Sequence, residues 1–216
     1  LLSWSSGKDS AWALHTLREQ GEVEVVGLLT TLNAAASRVA MHAVRDELLD
    51  RQAQAAGLPV RKVMLPWPCS NEEYERLMTG VFDWARGEGI DEIAYGDLFL
   101  EDIRAYREAR HAGTGIGCRF PLWGVPTPSL ARSMIAGGLR ATITCVDPKQ
   151  LSASFVGRAF DEALLAELPA GVDPCGERGE FHTFAHAGPM FAAPIGVVPG
   201  EVVERDGFAF ADLIPA

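Results

Sequence analysis

Near the start of the chain, Ser5-Ser6-Gly7-Lys8-Asp9-Ser10 brings together residue types that hold phosphate. Backbone N–H groups donate to phosphate oxygens, and small residues let the backbone approach phosphate closely. The segment lies between an apolar run and a helical pattern, where the positive end of a helix favours an anion. A G-x-x-x-x-G-K-[ST] loop does not account for it, because Leu2 stands at the first glycine position and Asp9 follows Lys8. No G-x-G-x-x-G turn opens this helix either. The cluster Gly113-Thr114-Gly115-Ile116-Gly117 follows a helix rather than a strand, and reads as a flexible loop or lid. The plainer alternative for six such residues is a serine-rich turn that caps a helix.

Other candidate chemistry is weaker. His182 and His186 have i, i+4 spacing with Cys175 nearby, but the H-E-x-x-H glutamate is missing, which disfavours zinc. No G-x-S-x-G elbow occurs, so a serine hydrolase is set aside. Glu101, Asp102, Arg104, Arg107 and Glu108 share a predicted helix whose spacings allow local ion pairs on a wet surface.

The elements that must position the loop are read from periodicity. Residues 1–5, 23–30, 60–65, 90–95 and 119–122 read as strands, the last ending at Pro121. Between them, helices are predicted over 9–20, 40–56 (with Val44 and Leu48 on one face), a segment capped by Asn71, and 100–112. The segment after Asn71 is the clearest amphipathic helix, with Tyr74, Leu77, Met78, Val81, Phe82 and Ala85 on one stripe. Repeated β-α units predict an α/β fold with a parallel five-stranded sheet sandwiched by helices. Beyond Trp123 the pattern changes to a helix start at Pro126 and Pro128, one strand over 139–146, and a tract rich in Gly and Pro. The boundary is placed at 125, giving an N-terminal domain over 1–125 and a smaller C-terminal region over 126–216.

The 216 residues suffice for a full core, and a formal net charge of −10 argues against an extensive nucleic-acid surface. Four scattered cysteines without a C-x-x-C pair fit reduced thiols. No apolar stretch reaches membrane-spanning length and the opening residues turn polar too soon for a signal peptide, so a cytoplasmic protein with no membrane partner is expected. The chain opens on Leu1 inside a strand pattern, and residues are expected to precede it.

The loop resembles the S-G-G-x-D-S motif of the PP-loop ATP pyrophosphatase superfamily, with Ser6 at the first glycine position. Tyr95-Gly96-Asp97-Leu98, Pro121-Leu122-Trp123, Cys175-Gly176-Glu177-Arg178-Gly179-Glu180-Phe181-His182-Thr183 and Gly188-Pro189-Met190-Phe191 resemble, in order, the diphthine–ammonia ligase branch and its bacterial adenine nucleotide alpha hydrolase-like relatives. Arg178 and His182 depart from the archaeal and eukaryotic pattern, where glycine and glutamate are common.

The resemblance implies a HUP-type domain with adenine against Leu29, Thr30 and Thr31 and the triphosphate on Ser5, Ser6, Gly7, Lys8, Asp9 and Ser10, beside Gly96. It implies Lys8, Asp9, Asp97, Glu177 and Glu180 as catalytic: Lys8 would neutralise phosphate charge, Ser5 and Ser10 would donate hydrogen bonds, and Asp9 would orient the loop or hold Mg²⁺ as the metal ligand. For the acceptor it implies Asp102, Arg107, Gly176, Glu177, Gly179, Glu180 and Thr183. A substrate carboxylate would attack the α-phosphorus of ATP, and ammonia or another amine would displace AMP to form an amide. The acceptor in the named branch is a modified histidine on a translation elongation factor, and the resemblance leaves room for a homodimer. Two alternatives are a non-catalytic adenine-nucleotide sensor and a superfamily enzyme acting on another substrate such as tRNA, for which the acidic charge is unsuited.

Overall fold

The computed structural model describes residues 1–33, the backbone of 38–39, and residues 44–216. Strand β1 (Leu2–Ser3) runs into the candidate loop, which passes into helix α1 (Lys8–Gln20). Ala11, Leu14 and Leu17 bury one stripe of α1, and Gly21 ends it in the left-handed region (φ 64°) with its N–H donating to the Leu17 carbonyl. There follow β2 (Leu28–Asn33), β3 (Arg38–Val39), α2 (Asp46–Ala56), β4 (Val60–Leu65), α3 (Asn71–Gly87), β5 (Glu92–Ala94), α4 (Glu101–His111) and β6 (Gly117–Arg119).

Among the described residues, five strands run parallel in the order β4-β2-β1-β5-β6, and β3 pairs antiparallel with the end of β2. This is the α/β sheet expected from the sequence. Alternation along β2 divides the two faces. Leu28 and Leu32 pack with α1 and α2 in one apolar cluster, while Leu29 joins Val63, Ile93 and the α3 residues Met78, Val81, Phe82 and Ala85 in another.

Several local expectations shift. Arg45 is the extended residue before α2 (ψ 142°), so Val44 precedes the helix, and 40–43 lie outside the described residues. Asp46 and Glu47 open that helix, where their charge suits its positive end. Ser70 caps α3, not Asn71: its hydroxyl accepts the Glu73 N–H at 3.1 Å, a capping geometry that Asn71, already helical, cannot make. The last parallel strand is 117–119, ahead of the predicted 119–122. The glycine cluster is no lid: Thr114 bonds back to the His111 carbonyl, its hydroxyl accepts the Ile116 N–H, and Ile116 is buried, making a tight turn into β6.

The largest difference is in the C-terminal half. After α5 (Thr127–Ala136) come β7 (Arg140–Val146), α6 (Glu162–Glu167), β8 (Phe181–Ala187), β9 (Val197–Arg205) and β10 (Phe208–Pro215), forming an antiparallel sheet in the order β8-β7-β10-β9. Only β7 is predicted from sequence. Asp206 and Gly207, both at positive φ, turn β9 back onto β10.

The two sheets share one core. The cluster containing Leu14 and Leu48 continues without a break into Ile143, Phe184 and Leu213. Phe184→Ala is therefore expected to cost about 3–5 kcal/mol while calorimetry still shows a single unfolding transition. Two separated transitions would contradict the shared core.

Candidate functional site

The loop joins β1 to α1 at the carboxyl ends of the parallel strands, where open α/β sheets bind ligands. Its own hydroxyls tie it together. Ser10 Oγ donates to the Gly7 carbonyl at 3.0 Å and lies 3.2 Å from Ser5 Oγ, which accepts the Gly7 N–H at 3.3 Å. Ser6 has φ 69°, the left-handed conformation that suits glycine, which gives a physical reason for the glycine of the superfamily motif. Gly96 lies against the loop from the end of β5. A Cβ there would come within 3.1–3.2 Å of the Asp9 and Ser10 backbone, so a side chain at this position would push on the loop backbone.

Beside the loop is a cavity of about 260 Å³ lined by Ser5, Leu29, Thr31, Tyr74, Tyr95 and Arg107, among others. Its aromatic walls and flanking arginines suit a planar base attached to a charged tail. Thr30 lies on the other face of β2, buried, with its hydroxyl donating to the Trp4 carbonyl at 2.9 Å. A larger opening of about 1100 Å³ sits at the opposite ends of the strands, around Leu1, Gly27 and Pro59, and contains no loop residue.

Lys8 does not face the mouth of the loop. It is 2% exposed, and its ammonium donates to Asp9 Oδ2 at 2.9 Å and to the Cys175 carbonyl. The faces of Phe160 and Phe181 lie 5.5 and 5.3 Å away. Burial works against this charge, but Asp9 and the other acceptors outweigh it and hold Lys8 above its usual value. The expected phosphate-neutralising role of Lys8 does not match this placement, because its side chain is committed to the seam between the sheets. Asp9 Oδ1 is buried without a hydrogen-bond partner, leaving one carboxylate oxygen open to a cation or water. Among the described residues, no three His, Cys, Asp or Glu side chains group to hold a metal ion.

The C-terminal tract contributes from the other side. Glu177 Oε1 accepts the Leu98 N–H at 2.7 Å, placing this carboxyl at the end of β5 near Asp97 and Asp9. Burial pushes its pKa up to about 7; the Leu98 N–H opposes that shift and the Asp9 charge adds to it. Asp97 Oδ2 accepts from Arg107 Nε at 3.0 Å, and the Arg107 guanidinium stacks on Tyr95 at 4.3 Å, so Asp97, Arg107 and Tyr95 form one wall. Asp102 is exposed on the first turn of α4.

Glu180 and Thr183, expected at the acceptor, are occupied elsewhere. Glu180 is 2% exposed, and its two oxygens accept the N–H groups of Asp173 and Arg178, each at 2.9 Å. It shapes its own turn, because both oxygens are taken by backbone. Thr183 Oγ1 accepts the Lys8 N–H at 3.1 Å, capping α1 from β8. Gly176 (φ 68°) is a position where a Cβ would lie 2.7 Å from the Phe181 carbonyl, whereas Gly179 (φ 84°) only turns the chain.

Sequence reasoning missed three residues. Asp173 accepts the Cys175 N–H and the Thr127 hydroxyl, tying the tract to α5. Gln52, fully buried on α2, bonds to the loop. His111 joins Tyr95 to the Ile116 carbonyl, at 2.8 Å on each side. None sits in a motif. The available signal was a polar residue on an otherwise apolar stripe, as with Gln52 between Leu49 and Ala53.

The family model described as the diphthamide synthase N-terminal domain matches residues 1–113, and that described as the diphthamide synthase C-terminal domain matches residues 127–211. No curated protein matches the chain.

Two outcomes follow from the charges. Asp9→Ala leaves the Lys8 ammonium buried without its carboxylate and is expected to destabilise the protein by about 3–5 kcal/mol. Lys8→Met combined with Asp9→Asn is expected to lose less than Asp9→Ala, as chemical denaturation would show. Glu177 is raised from 4.5 to about 7, so stability falls as pH rises across that window and stays level above it. Glu177→Gln is expected to exceed the parent in stability at pH 8 by on the order of 1–3 kcal/mol, with the difference gone below about pH 4.5.

Proposed function

The chain belongs to the diphthamide synthase family, and from that premise we propose that it is an ATP-dependent amide-forming ligase that splits ATP between the α and β phosphates. The observation that carries this reading is the meeting of two unlike half-sites. A helix N-terminus with a hydroxyl-tied loop and an aromatic cavity lies on one side, and a carboxyl from the C-terminal tract, Glu177, reaches the end of β5 on the other.

In this reading Leu29, Thr31 and the tyrosines of the cavity bind adenine, and the backbone around Ser6, Gly7 and Ser10 receives the phosphates at the positive end of α1. Asp9 offers its open oxygen to Mg²⁺, which when bound would neutralise phosphate charge. A substrate carboxylate oxygen bonds to the α-phosphorus as the bond to the β-phosphate oxygen breaks, releasing pyrophosphate. The amine nitrogen then bonds to the activated carbonyl carbon, AMP departs with the former carboxylate oxygen, and the nitrogen gives up a proton. Glu177, titrating near neutrality, is suited to accept that proton and to attract ammonium before reaction. Arg107, held by Asp97 and stacked on Tyr95, presents fixed positive charge at the cavity wall. The acceptor class is a carboxylate on a modified histidine side chain, as in the named family.

Purified protein incubated with Mg²⁺-ATP, ammonium and a carboxylate acceptor, or cell extract as its source, is expected to release AMP and pyrophosphate. ADP and phosphate would overturn the mechanism, and tight ATP binding with neither product pair would favour a nucleotide sensor.

A further inference from the structure

We propose that Gln52 is a positioning residue that sets the direction of the loop's phosphate-facing N–H groups, an inference that rests on the ATP reading above. Gln52 is 0% exposed on α2, in a core of leucine and alanine, and its amide is engaged on every side. Its Oε1 accepts the Trp4 indole N–H at 2.9 Å, and its Nε2 donates to the Ser6 carbonyl at 3.0 Å and to the Ala185 carbonyl at 2.6 Å. The reversed amide would aim oxygen at two carbonyls, so the network itself fixes the orientation. The Ser6 carbonyl also accepts the Ala185 N–H at 2.9 Å, so two donors, one from α2 and one from β8, hold a single loop oxygen.

That oxygen belongs to the peptide unit whose N–H is Gly7. A trans peptide is planar, with C=O and N–H pointing in opposite directions. Clamping the Ser6 carbonyl inward therefore turns the Gly7 N–H outward, toward Ser5 Oγ at the mouth of the loop. The clamp acts on a strained residue. Ser6 carries a Cβ at φ 69°, and its hydroxyl is buried with no partner, so neither its backbone nor its side chain holds this conformation alone. A Met at 52 would fill the same volume without donating; the carbonyl would lose one of its donors and the peptide would be freer to rotate.

The test uses the full chain and Mg²⁺-ATP as the probe, with binding followed by calorimetry and turnover by AMP release. Gln52→Met is expected to raise the ATP Kd and KM about tenfold, the loss of one buried hydrogen bond, with a smaller change in kcat. Ser6→Gly added to Gln52→Met is expected to recover most of that loss, since glycine takes the left-handed conformation without strain. A lowered Tm with unchanged Kd and KM, or no recovery in the double variant, would show that Gln52 only supports the core and would overturn the proposal. Should Gln52→Met not fold, Trp4→Phe removes the donor that anchors the amide oxygen and is expected to weaken ATP binding in the same direction; unchanged binding there would overturn the proposal. Absence of ATP binding by the unaltered chain would defeat the ATP reading itself, whereas equal binding by the chain and its Gln52 variant would defeat this inference alone.

Discussion

A buried ammonium needs acceptors within reach, and at Lys8 they come from both halves of the chain. Removing that charge from water costs on the order of several kcal/mol, and the compensation is divided between Asp9 in the loop and the Cys175 carbonyl with the Phe160 and Phe181 rings in the C-terminal half. The loop and the C-terminal tract must therefore be in register for either to be stable. Thr183 capping the Lys8 N–H and Ala185 donating to the Ser6 carbonyl repeat the arrangement in neutral hydrogen bonds. A turn that would otherwise be a flexible connection becomes part of a shared core.

This constraint also accounts for the division of labour along the Cys175 to Thr183 tract. Glu180 and Asp173 bind backbone N–H groups and fold the tract onto itself. Gly176 lets the turn pass close to the Phe181 carbonyl. With these residues occupied, Glu177 is the carboxyl of the motif left facing the end of β5. Its partial burial near Asp9 and Asp97 raises its pKa toward neutrality. Residues adjacent in a motif thus serve different ends, some shaping the turn and one presented at its edge.

The parallel sheet was legible because its signals are local. The α1 stripe, the α3 stripe and the stop at Gly57 follow from side-chain spacing and from glycine's access to positive φ. The antiparallel sheet was less so. Strand β8 follows a turn-rich tract, and β9 carries Pro199 and Gly200, which weaken a strand pattern at a sheet edge. The Asp206-Gly207 turn that closes the last hairpin is a local signal that sequence reasoning missed. At the site, the sequence indicated which segments meet but not which way side chains point. Lys8 reads as a phosphate ligand by type and position; only the fold, by bringing Phe160, Phe181 and the Cys175 carbonyl beside it, shows its charge committed to the seam. Gln52 shows in the sequence as a polar residue on an apolar stripe but its role does not, because its partners lie 46, 48 and 133 residues away in the chain.

The most direct measurement of this account is native-state amide exchange at Lys8, in the parent and in Thr183→Val, which keeps the shape of the side chain and removes the accepting oxygen. If the C-terminal half holds the loop, exchange at Lys8 accelerates by about tenfold or more while the amides of β5 keep their protection. Equal protection of Lys8 in both proteins would show that the loop is ordered by the parallel-sheet domain alone, and would contradict the account.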